Sequence, residues 1–140
     1  DIVVAKPRTF MNRSGRAAVA LLEGCGAEPR DLLVVHDEAD LDLGRIRILS
    51  EGGAGGHNGV RSLIDALGTR EFPRIRLGVR GSGREDAVLA DYVLEDFAEE
   101  EREIVDRLVI LGADAVETVL SEGLDSARGR FHGPARAAPA

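Results

Sequence analysis

Two runs that alternate basic and apolar residues flank a helical stripe, and this arrangement constrains the fold of the 140-residue chain most strongly. Arg45-Ile46-Arg47-Ile48 and Arg74-Ile75-Arg76-Leu77-Gly78-Val79 have the period of strands with one covered face. Between them, Val60, Leu63, Ile64 and Leu67 recur at helical spacing, and Gly68 closes the stripe. Upstream, Leu32–Val35 is continuously apolar, as expected of a strand covered on both faces. A second helical stripe, Met11, Gly15, Ala18, Leu22 and Cys25, starts near two capping residue types, Thr9 and Asn12, and stops at Gly24 and Gly26. Asp1–Lys6 reads as a short strand ended by Pro7. Gly81–Asp86 reads as a polar loop. A long helix is expected from about Ala98 to Glu122, burying Ile104, Leu108, Leu111 and Val119. Strands alternating with helices imply an α/β sheet covered by helices. The expected division is a domain over 1–124 and a basic, Ala/Pro-rich tail over 125–140 that frays from Arg128.

Composition removes several function classes. With 44% hydrophobic and 31% charged residues, the chain suits a soluble globular protein and not a disordered one. Its one cysteine, Cys25, cannot form an intramolecular disulfide and reads as a core residue of its stripe. No apolar run approaches the roughly 20 residues that span a bilayer. Aromatics at 4%, with no Trp, argue against a carbohydrate platform or a surface stacking several bases. The net charge of −7 argues against a nucleic-acid partner until its distribution is considered. Residues 1–80 carry 12 basic and 11 acidic side chains, whereas residues 81–124 carry 3 and 13. The acidity therefore sits late in the chain, leaving room for a basic patch elsewhere.

Three segments put polar residues where strand ends and helix starts are expected. They are Thr9-Phe10-Met11-Asn12, His36-Asp37-Glu38 and Gly55-Gly56-His57-Asn58-Gly59. In α/β folds, sites form at the carboxyl ends of strands, and the trio follows the apolar run directly. The glycine cluster (Gly52, Gly53, Gly55, Gly56, Gly59) precedes a helix, so its N–H groups suit an anion, yet it also suits a plain tight turn. It is neither a P-loop nor a dinucleotide fingerprint. Asn58 fits an ordinary cap, and His57 fits a half-buried hydrogen-bonding residue. No spacing rule demands a metal site from His36, Asp37, Asp40 and Asp42, and none is expected. His132 reads as incidental.

Taken together, the segments resemble the bacterial peptidyl-tRNA hydrolases. Lys6-Pro7-Arg8-Thr9-Phe10-Met11-Asn12-Arg13-Ser14-Gly15, Val35-His36-Asp37-Glu38-Ala39-Asp40-Leu41 and Gly52-Gly53-Ala54-Gly55-Gly56-His57-Asn58-Gly59-Val60-Arg61-Ser62 stand in the family's order and spacing. Phe72–Val79 and the stretch from Val93-Leu94 to Phe97 also fit. The resemblance implies a monomeric, cytoplasmic α/β domain with a mixed twisted sheet. It also implies hydrolysis of the ester between a peptide and the 3′-terminal ribose of tRNA, with no metal or cofactor. Asn12 and Asn58 are implied to hold the substrate and help place the attacking water, Phe10 to line the same pocket, and Asp37 to orient a catalytic histidine.

That histidine belongs to an N-terminal block of the family with no counterpart in this sequence, and none of His36, His57 and His132 matches its position. The expectations are an N-terminally truncated chain, inactive alone, lacking the first strand and so showing an exposed apolar edge or face. Leu49 stands where relatives often carry a lysine near tRNA, and Glu51 where they usually have glycine. Two alternatives remain: a non-catalytic RNA-binding module of the same fold, and a different hydrolase with a His57–Asp37 dyad. Arg45, Arg47, Arg74 and Arg76 are candidate tRNA-phosphate contacts, forming one patch if their two strands are neighbours.

Overall fold

The computed structural model describes residues 1–81 and 97–134. The expected loop beyond Gly81, and Val93-Leu94, lie outside them. The chain forms two compact units, one of Asp1–Leu32 with Glu51–Phe72 and one of Leu33–Ser50 with Pro73 onward. The architecture is α/β with a mixed sheet, as the alternating pattern implies.

The first unit holds two helices, α1 (Ser14–Cys25) and α2 (Asn58–Leu67), which pack on each other. The approach is close at Gly15. Its N–H donates to Ser62 Oγ at 2.9 Å, and a Cβ there would lie 2.6 Å from that of Ala66. Gly26 and Gly68 end the helices as expected, each in the left-handed conformation that glycine adopts most readily. Ala18, Leu22, Val60 and Leu63 are the buried apolar positions of the two stripes. Three expectations fail here, the first being Met11, which is 55% exposed because it lies in the 3-10 turn before α1 and not in the helix. Cys25 is exposed, because the last turn of α1 runs out beyond the buried positions, which end at Leu22. Asp1–Lys6 is irregular and exposed, because no described strand lies beside it to accept its backbone bonds.

The second unit holds a sheet of β1 (Val34–Asp42), β2 (Arg45–Leu49), β3 (Arg74–Arg80) and the two-residue β4 (Gly133–Pro134). Their order is β1-β3-β2-β4. β3 is parallel to β1 and antiparallel to β2, and β4 is antiparallel to β2. Ile46, Ile48 and Ile75 on one sheet face are buried with Leu108 and Ala115 of α3 (Arg102–Glu122) and Ala127 of α4 (Leu124–Phe131). Leu111 and Val119 pack at the margin of this core, whereas Ile104, expected inside, is exposed near the start of α3. The tail does not fray at Arg128. Leu124 and Phe131 pack against the core, and Arg128 Nε donates to the Ile48 carbonyl at 3.2 Å. Beyond the helix, β4 joins the sheet.

Candidate functional site

In the first unit, the family-like blocks become helix starts. Arg13 N–H donates to the Phe10 carbonyl at 2.8 Å and closes a 3-10 turn, Met11–Arg13, that leads into α1. Ser14 Oγ donates to the Met11 carbonyl at 2.7 Å. Neither Thr9 nor Asn12 caps α1, because this turn supplies the start. Phe10 is 80% exposed and Asn12 is exposed beside it. At α2 the cap is His57, whose Nδ1 accepts the Val60 N–H at 3.1 Å. Asn58 is therefore the first helical residue, and its side chain is exposed. The His57 N–H donates to the Ala54 carbonyl at 3.1 Å and folds the glycine segment back.

Gly59 is buried under this corner. A Cβ there would lie 2.6 Å from Met11 Sδ and 2.9 Å from His57 Cε1. The residues preceding Asn12 and Asn58 thus both rest on one glycine. Of the candidate anion donors at the start of α2, the Val60 N–H is occupied by His57.

In the second unit, the trio lies within β1 and not beyond its end. The strand runs on to Asp42, although its regular pairing with β3 stops at Glu38. His36 and Glu38 are buried, and Asp37 is half-buried. Register places Asp37 opposite Leu77, and Leu77 opposite Ile46, so Asp37 shares the face covered by α3. His36 lies opposite Arg76, and Arg76 opposite Arg47, forming a polar row across three strands. The His36 Nδ1–H donates to the Asp37 carbonyl at 2.7 Å.

β2 and β3 are indeed neighbours, but the four arginines differ. Arg47 is exposed and Arg45 half-buried. Arg76 is half-buried, with Nε 3.7 Å from Oε2 of buried Glu38. Arg74 is 0% exposed and so is not part of a surface patch. It begins an inner strand of the sheet, and burial, reinforced by Arg76, lowers its guanidinium pKa. Spacing did not reveal three partners: the His57 cap, Glu38 beside Arg76, and His132. The last accepts the Ile48 N–H at Nδ1, 3.3 Å, and meets Arg47 Nη1 at Nε2, 3.2 Å. The only advance signal was the placement of His57, three residues before Val60 at the head of the stripe.

Among the described residues, no three His, Cys, Asp or Glu side chains are grouped to hold a metal ion. No described helix is long and apolar enough to cross a membrane.

Comparison with known proteins matches residues 1–139 to the family described as peptidyl-tRNA hydrolase. The chain belongs to the peptidyl-tRNA hydrolase family. It is 46% identical over 132 residues to the peptidyl-tRNA hydrolase of Pseudothermotoga lettingae, covering 94% of this chain and 70% of that protein. It is 48% identical over 133 residues to that of Mycobacterium marinum, covering 94% and 69%. A crystal structure of peptidyl-tRNA hydrolase in complex with N-propanol superposes with a TM-score of 0.80 at 27% identity, covering 94% of this chain and 66% of that one. The Acinetobacter baumannii enzyme gives 0.79 at 27% identity, covering 93% and 66%. The chain thus spans just under two thirds of the length of these solved structures and slightly more of the relatives.

Proposed function

We propose that the protein hydrolyses the ester between a peptide and the 3′ ribose of tRNA, acting in the cytoplasm as a monomer without metal or cofactor. The observation that carries this reading is the pair of exposed asparagines, Asn12 and Asn58, each set at the start of a helix in a block matching the family. Neither side chain caps its own helix, so both amides are available to a substrate. An amide N–H aimed at a developing oxyanion stabilises it, and an amide oxygen can orient water. Exposed Phe10 supplies apolar surface beside Asn12. Asp37 serves to orient an imidazole and stabilise its charged form.

In this reading the general base is none of the chain's own histidines. His57 and His132 each give one ring nitrogen to a backbone N–H, and His36 donates to a carbonyl. Arg45, Arg47 and Arg76 contact tRNA phosphates, with Arg74 left out by its burial.

The test compares the purified 140-residue chain with the complete gene product on peptidyl-tRNA. The expected result is hydrolysis by the complete product and a rate lower by about 10²–10⁴ for the chain alone, the usual worth of a general base. Equal rates would overturn the assignment of the base. Tight tRNA binding without hydrolysis by either would favour an RNA-binding module of the same fold.

A further inference from the structure

We infer that His57 is a positioning residue: by capping α2 and packing with Met11 over Gly59, it sets the separation of Asn12 and Asn58. This rests on the function proposed above, in which the two amides hold the substrate. The bond from the Val60 N–H to His57 Nδ1, 3.1 Å, satisfies a donor that the helix itself leaves unpaired. It also fixes the ring, because a nitrogen that accepts carries no proton, and the neutral ring then carries its proton on Nε2. With the ring fixed, Cε1 and Met11 Sδ approach the same point above Gly59, where a Cβ would lie 2.9 Å and 2.6 Å from them.

Met11 is held in turn from the other side. Ser14 Oγ donates to its carbonyl at 2.7 Å and lies 3.8 Å from its sulfur. Gly59 therefore lies under both the His57 ring and the Met11 thioether, the side chains that directly precede Asn58 and Asn12. Asn, Asp and Ser are the usual caps and would make the bond to Val60 equally well, but none fills the space of an imidazole against Met11. The ring does both, which gives a physical reason for histidine here.

A role in proton transfer and a role in positioning predict different substitution patterns in the complete gene product. Positioning predicts that His57→Ala lowers kcat/KM by about tenfold or more, since a displacement near 1 Å can cost about 10²-fold. His57→Asn, which restores the cap but not the bulk of the ring beside Met11, should recover part of that loss. Gly59→Ala, which leaves both asparagines and His57 in the sequence but forces Met11 and the ring apart, should lower kcat/KM comparably to His57→Ala. Nitrogen NMR of the unsubstituted protein should show Nδ1 unprotonated and Nε2 protonated in the neutral ring, with a slowly exchanging Val60 amide.

Equal losses for His57→Ala and His57→Asn overturn the inference, as does a neutral ring protonated at Nδ1. Should Gly59→Ala fail to fold, the comparison of Ala with Asn at His57 still decides. Absence of hydrolysis by the unsubstituted product would instead overturn the proposed function, and this inference with it.

Discussion

At the scale of single residues, the two asparagines and the four arginines show what a sequence pattern reveals and what it hides. Asn58 was a candidate cap by type, yet His57 makes the cap and leaves the Asn58 amide exposed. Asn12→Ala and Asn58→Ala in the complete gene product should therefore each lower the rate by about 10²–10³, the worth of an oxyanion donor. The melting midpoint should stay nearly constant, and a midpoint that falls in step with activity would return the residues to a structural role. The motifs single out these residues because each block is contiguous in sequence. The cap was hidden because histidine is an uncommon one and its bond depends on a ring orientation that spacing does not report. Arg74 was misplaced for a different reason. A period-two pattern separates the faces of a strand but does not say whether the second face is covered, and this face is covered at Arg74.

At the scale of elements, α2 and β2 follow their sequence patterns closely. Their stripes are complete, and a glycine or a tight turn punctuates each. α4 was not legible, since Leu124–Phe131 is a short, polar stretch whose helix depends on tertiary contacts through Ala127, Arg128 and His132. His132 adds a pH dependence to those contacts. Its pKa lies below the ordinary 6.5, chiefly through burial, then through Arg47 and Arg128, with a smaller push from Arg45; the Ile48 backbone acts the other way. Asp125 partly offsets Arg128 at 3.4 Å. The folded protein therefore resists protonation of this ring at a pH where the unfolded chain already accepts the proton. Its stability should be independent of this group above about pH 6.5 and should fall as pH drops from there toward the lowered value. His132→Gln should lose fewer degrees of melting midpoint than the parent between about pH 7.5 and pH 5.5. Equal losses in the two proteins would remove His132 from the account.

At the scale of the whole molecule, a chain of net charge −7 is proposed to bind a polyanion, so its basic face must act locally. Log K for tRNA should fall linearly with log salt concentration. Arg47→Ala and Arg76→Ala should each make the slope shallower by about one. Arg74→Met should leave the slope alone, because a side chain without exposed surface releases no counterions on binding. A change in slope for Arg74→Met would place that side chain at the surface in solution.

The strand order carries a kinetic consequence. β1 and β2 are joined by a tight turn at Leu43-Gly44, yet they do not pair, because β3 lies between them. The local hairpin that usually starts a sheet quickly is therefore absent. Each strand must wait for Arg74–Arg80, which arrives only after the whole excursion that builds α2. Closing that loop costs chain entropy before any sheet bond compensates. Refolding should accordingly be slow for a protein of this size, with its rate governed by how readily β3 inserts between two strands already adjacent in sequence.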